Sequence, residues 1–172
     1  PPFAVRARLL SPMADGGVLD EPDGLLVVDE TGRITSVGPW PGTSEATIDL
    51  RPMVVVPGLV DLHAHLPQIP NAGLGSGLDL LTWLDRYIFP LERAYDRSVG
   101  ERQAPAAFRA FAAAGTTTVV AYAAVWEDSP DAAFAAAEAH GIRAVIGKVM
   151  MDRVTYDTEI APNEILETSL RQ

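Results

Sequence analysis

Two histidines one residue apart, His63 and His65, stand at the end of the apolar run 54–62. In a β-strand, side chains two positions apart share a face. The two imidazoles therefore point the same way, and Asp61 has the same parity. Rings so placed at a strand end can both reach one ion at about 2.0–2.1 Å. Imidazole serves zinc, iron and nickel alike, so the pair does not by itself select the metal. A bare His-x-His also arises by chance in cores and on surfaces, and here the context adds weight. Pro57-Gly58 opens the segment, and Asn71, Gly73, Gly75 and Gly77 follow in a glycine-rich loop. No Gly-Lys-Ser/Thr follows those glycines, so they do not form a phosphate loop. Asp61 has two readings: it orients a ligand from behind, or it bonds nearby backbone.

The elements that must position these residues come in two textures. Residues 1–52 read as small antiparallel β structure, with strands at 25–28 and 34–37 joined by the turn Asp29-Glu30-Thr31-Gly32-Arg33 and a further short strand near 47–50. From residue 53 to 172, α and β signals alternate. The run 54–62 reads as one strand buried on both faces. A helix is expected over 78–95, ended or kinked by Pro90, and another over 101–114 with Gly115 as its C′ residue. A strand over 116–123 precedes a helix with Ser129 as N-cap and Pro130 at N1. A third buried strand covers 142–150, and a last helix starts near Asn163. Such alternation implies an α/β fold, a parallel sheet with helices outside, closed either as an open doubly wound sheet or as a (β/α)8 barrel. A barrel needs roughly 250 residues. On that reading the chain is a fragment, and expressed by itself it should fold poorly, because its edge strands would lack partners.

Bulk properties exclude several classes. The 172 residues are 48% hydrophobic, enough for a folded core. The net charge of −10 disfavours nucleic acid as the partner, although a single neutral nucleobase is not repelled. No apolar run reaches the ~18 residues of a membrane span, and no signal-peptide pattern is visible in residues 1–10. The absence of cysteine fits a cytoplasmic location and rules out a disulfide scaffold. His140 precedes the third strand, at the end of the sheet opposite His65, where a helix C-terminus favours a basic residue.

Pro57-Gly58-Leu59-Val60-Asp61-Leu62-His63-Ala64-His65 resembles the Pro-Gly-x-x-Asp-x-His-x-His signature of the amidohydrolase superfamily. The resemblance implies a metal-dependent (β/α)8 barrel beside a small β-sandwich built partly from the N-terminal segment. It implies that residues 1–52 belong to the sandwich, that 53–172 form the first three βα units, and that His63 and His65 bind the metal, zinc or alternatively iron. Some members carry a bridging carbamylated lysine on the fourth strand; Lys148 falls on the third and is not expected to serve.

Further stretches resemble guanine deaminases: His65-Leu66-Pro67-Gln68, Leu78-Asp79-Leu80-Leu81-Thr82-Trp83-Leu84, Tyr87-Ile88-Phe89-Pro90-Leu91-Glu92, Ala114-Gly115-Thr116-Thr117-Thr118 and Gly147-Lys148-Val149-Met150-Met151-Asp152. In that family the glutamine three residues after the second histidine hydrogen-bonds the purine, which here is Gln68. A carboxamide offers both donor and acceptor to a base edge. Trp83 and Phe89 either wall the pocket or pack the helix. The implied reaction is hydrolytic deamination of guanine to xanthine and ammonia. Its acid/base glutamate and the remaining ligands, a histidine and an aspartate, are expected beyond residue 172, and a homodimer is allowed by the analogy. The loop Ile69-Pro70-Asn71-Ala72-Gly73-Leu74-Gly75-Ser76-Gly77 departs from the family pattern. That keeps another purine, a pterin or an s-triazine open as substrate. A barrel relative without metal, acting as a binding protein, is opposed by the intact histidine pair.

Overall fold

The computed structural model describes residues 2–43, 47–150 and Glu167. The helix expected near Asn163 lies outside the described residues. The chain forms two compact units, Pro1–Pro57 and Gly58–Gln172.

The first unit is a four-stranded sheet of β1 (Phe3–Pro12), β2 (Val18–Val28), β3 (Ile34–Pro39) and β4 (Thr47–Val55). The strand order is β3-β2-β1-β4, antiparallel except for the parallel β1–β4 pair. Sequence reading misses β1, one of the two inner strands. Its pattern is period two, with Val5, Ala7 and Leu9 buried and packed against Leu26, Leu50 and Val55. The intervening Arg6 and Arg8 disguise this, yet both are satisfied across the sheet. Arg6 makes a bidentate pair with Asp23 at 2.6 and 2.7 Å and lies over the Trp40 ring at 4.4 Å. Arg8 pairs likewise with Asp20 at 2.7 and 2.9 Å. The expected turn is present: Asp29 Oδ1 accepts from the N–H groups of Thr31 and Arg33, and Gly32 supplies the positive φ of 82°.

These pairs should make the first unit acid-sensitive. Hydrogen bonds from Arg8 and Arg6 hold the Asp20 and Asp23 carboxyls below their usual range, and Arg51 does the same to Asp49. A carboxyl whose pKa is depressed by folding contributes stability above its unfolded pKa, which is lost as pH falls through the folded value. Thermal stability of this sheet should therefore decline as pH drops below about 4. A pH series of melting curves checks this, and the Asp20→Asn/Asp23→Asn double variant should flatten the acid slope. High salt should shrink the effect most at the exposed Arg8–Asp20 and Arg51–Asp49 pairs.

The second unit holds three parallel strands in the order β5-β6-β7: Leu59–His65, Thr116–Tyr122 and Arg143–Gly147. Helix α3 (Arg97–Ala113) packs on β6, and α4 (Ser129–Ala139) packs on α3 and β7. Alanines on both helices, Ala104, Ala107, Ala133, Ala136 and Ala137, let them approach closely around Phe108 and Val119. Among the described residues, no helix is long and apolar enough to cross a membrane.

The run 54–62 is not one doubly buried strand. Residues 54 and 55 finish β4, residues 56–58 separate it from β5, and the two compact units meet at Pro57–Gly58 in the sequence. Leu59, Val60 and Leu62 are exposed, Leu62 by 71%. In this chain β5 is the edge strand of its sheet, and α3 and α4 pack on β6 and β7.

The expected helix over 78–95 is broken into α1 (Leu80–Trp83), a π-helical turn (Leu84–Ile88) and α2 (Phe89–Ala94). Pro90 sits in the first turn of α2, where a missing N–H costs least. Helix α3 begins earlier than residue 101, because Asp96 caps it by accepting from the Val99 N–H at 2.8 Å; Gly115 follows its C-cap with φ 82°. Ser129 is not the cap of α4 but its first residue. Its hydroxyl is buried, accepting from the Ala124 N–H and donating to the Trp126 carbonyl.

Gly58 has a packing reason. A Cβ there would overlap the Thr117 side chain of β6. Gly58→Val should force β5 away from β6 and cost about 1–3 kcal/mol, measurable as a lowered denaturation midpoint in the intact protein. A neutral result would mean that the strands have slack at this point.

Candidate metal centre

His63 and His65 close β5 at its C-terminal end, and a bulge between Asp61 and Ala64 takes in His63. Asp61 lies opposite Val119 and Ala64 opposite Ala121, so three steps on β5 face two on β6. Asp61 Oδ1 accepts from the His63 N–H at 3.0 Å, which satisfies an amide at the irregular step. Of the two readings of Asp61, the backbone bond is the one formed. The imidazole Nε2 atoms approach to 3.2 Å, with ring centroids 5.0 Å apart and planes at 63°. Two nitrogens each about 2.1 Å from one ion at a tetrahedral angle stand roughly 3.4 Å apart. The pair is thus already spaced as two ligands of a single ion. Among the described residues, no set of three or more histidine, aspartate or glutamate side chains forms a complete metal cluster.

Tyr122 ends β6 directly opposite His65. Its ring stacks on His65 at 4.9 Å and meets His63 edge-on at 5.5 Å. By sequence Tyr122 reads only as a strand residue; its place at the end of the neighbouring parallel strand is the signal that marks it.

The chain turns straight from His65 into a short 3-10 helix (Leu66–Asn71) that carries Gln68. Gln68 Nε2 donates to Glu92 Oε1 at 2.8 Å, and the same oxygen stands 3.5 Å from His65 Nδ1. Glu92 is only 4% exposed. His65 Nδ1 is itself buried without a hydrogen bond. The sequence signal for Glu92 was present: it continues the i, i+4 spacing of Leu84 and Ile88, and a carboxylate at an apolar position is buried only when partnered.

A concavity holds His63, His65, Gln68 and Trp83 together with the glycine-rich loop. Trp83 Nε1 donates to the Leu74 carbonyl at 3.0 Å and Asn71 Nδ2 to the Tyr87 carbonyl at 2.8 Å, which fix that loop to the helical segment. Gly75 has φ 75°, and a Cβ there would come within 2.7 Å of Trp83 Cδ1. Phe89 packs against Val125 instead. His140 follows α4, as expected, with its Nδ1 2.8 Å from the Ala136 carbonyl, beside the N-terminal end of β7. Lys148 lies just past the last residue of β7 rather than on it.

The amidohydrolase family profile matches residues 54–171, and the chain belongs to the amidohydrolase family. Within that family it is similar to guanine deaminases. It is 37% identical over 155 residues to the guanine deaminase of Escherichia coli strain K12, covering 86% of this chain and 33% of that protein. A crystal structure of guanine deaminase from C. acetobutylicum, with guanine bound in its active site, superposes with a TM-score of 0.83 at 28% identity, covering 99% of this chain and 42% of that one. At the level of fold alone, an atrazine chlorohydrolase from Arthrobacter aurescens, complexed with zinc and atraton, matches with a TM-score of 0.74 at 19% identity. The chain spans about a third of the length of its E. coli relative.

Proposed function

We propose that the protein containing this chain is a metal-dependent hydrolase that deaminates guanine to xanthine and ammonia. The observation that carries this reading is the convergence of His63 and His65 Nε2 at 3.2 Å, with Gln68 lining the same concavity. Similarity to guanine deaminases, one of them holding guanine, supports the choice of substrate.

In this reading β5, β6 and β7 are consecutive strands of a (β/α)8 barrel, whose active sites gather where these strands end, and Pro1–Pro57 belongs to a β-sandwich. His63 and His65 would hold the metal, zinc first and iron second. When bound, such an ion lowers the pKa of a coordinated water toward about 7. Gln68 presents its carboxamide to the purine edge. Tyr122 braces both imidazoles, and Trp83 supplies an apolar wall. The carboxylate that moves the proton to the leaving ammonia is assigned to a part of the protein outside residues 1–172. The protein is read as cytoplasmic.

The test is an assay on the intact, metal-loaded protein. Guanine absorbance should fall as xanthine forms. Absence of turnover in a protein shown to hold its metal would reject guanine as the substrate.

A further inference from the structure

We propose that Glu92 is a positioning residue that sets the orientation of both a metal ligand, His65, and the purine-contacting amide, Gln68. The inference rests on the deaminase reading for its substrate half and on geometry alone for its metal half. One buried carboxylate oxygen serves both neighbours: 2.8 Å from Gln68 Nε2 and 3.5 Å from His65 Nδ1.

A carboxylate accepts hydrogen bonds and cannot donate them. Toward His65 it selects the tautomer with the proton on Nδ1, which leaves the Nε2 lone pair free to bind an ion that His63 Nε2 would share. The buried Nδ1 has no hydrogen bond at present, and closing the 3.5 Å gap by a few tenths of an ångström would provide one. Hydrogen bonds in sites without ligand are often long and tighten on binding. Toward Gln68 the same oxygen holds the NH2 end and so turns the carbonyl end away from Glu92. Gln68 therefore meets a ligand in one amide orientation, which discriminates donors from acceptors on a base edge. Metal-bound imidazoles commonly have such a carboxylate behind them; here it also grips the residue that reads the base.

The test uses the intact protein and the variants Glu92→Gln, of nearly equal size, and Glu92→Asp, which keeps the charge but is shorter. Zinc affinity, measured by chelator competition, should weaken about 10–100-fold in Glu92→Gln. The KM for guanine should rise in the same variant, and Glu92→Asp should recover part of both. A folded Glu92→Gln protein with parental zinc affinity overturns the proposal. If Glu92→Gln does not fold, the parent protein carries the test. With 15N-labelled histidine, the metal-free His65 ring should be the Nδ1–H tautomer, and an Nε2–H tautomer overturns the assignment. Neither zinc affinity nor ring tautomer involves the purine. A protein that binds zinc through Glu92-supported His65 but ignores guanine refutes the deaminase reading and leaves the metal half standing. One that turns over guanine with zinc affinity indifferent to Glu92 does the reverse.

Discussion

Replacing either His63 or His65 by alanine in the intact protein should abolish metal retention and reduce guanine turnover by about a thousandfold or more, the several kcal/mol that a Lewis-acid ion contributes at the reacting centre. The expectation follows from spacing. On the proposed reading, the two Nε2 atoms at 3.2 Å would take adjoining corners of one coordination sphere, so the loss of one ring could not be offset by the other. Metal content by elemental analysis and turnover by absorbance should fall together. The two sites differ in their structural consequences. With both proteins metal-free, His63→Ala should melt near the parent temperature, since its ring meets those of His65 and Tyr122 edge-on. His65 stacks on Tyr122 and stands beside buried Glu92, so His65→Ala should also lose some stability. A His63→Ala protein that keeps a full equivalent of metal and its activity would dismiss the centre.

The second large effect concerns the helical layer. Phe108 is fully buried, with its ring edge-on to Phe111 at 5.7 Å, among the alanines of α3 and α4. Small neighbours cannot swing in to fill a vacated ring, so Phe108→Ala should cost about 3–5 kcal/mol. Denaturant melts of the intact protein would show a lowered midpoint at unchanged slope. A loss below about 1 kcal/mol would mean that the layer collapses around the hole, which the short alanine side chains make hard.

The convergence of the two histidines was the most legible part of the sequence, because strand periodicity alone puts His63 and His65 on one face. The alternation of strands and helices after residue 58 was legible for the same reason. Strand β1 was not: its inward residues are Val5, Ala7 and Leu9, but Arg6 and Arg8 between them look solvated until Asp23 and Asp20 are placed opposite. Apolar composition marks β5 as a strand that could be buried, but does not say what lies against it. Glu92 escaped as a site residue because its significance depends on the meeting of two segments 24 positions apart. Tyr122 escaped similarly, since its partner is set by the parallel register between β5 and β6. Local pattern therefore shows which residues share a face, whereas pairing between distant segments decides which faces meet.

The π-helical turn at Leu84–Ile88 acts as a phase adjuster. Its closing bond runs from the Phe89 N–H to the Leu84 carbonyl, five residues back rather than four. Each residue of an α-helix advances the side chain by roughly 100°, so one extra residue in the turn rotates everything after it by about that angle. Leu91, Glu92 and Arg93 would otherwise face different neighbours. Deleting one residue from 84–88 would leave the composition of the segment nearly intact yet swing the carboxylate out from behind the imidazole. The azimuth of the acid is encoded by the length of the segment before it, and substitutions confined to Glu92 would never reveal that dependence.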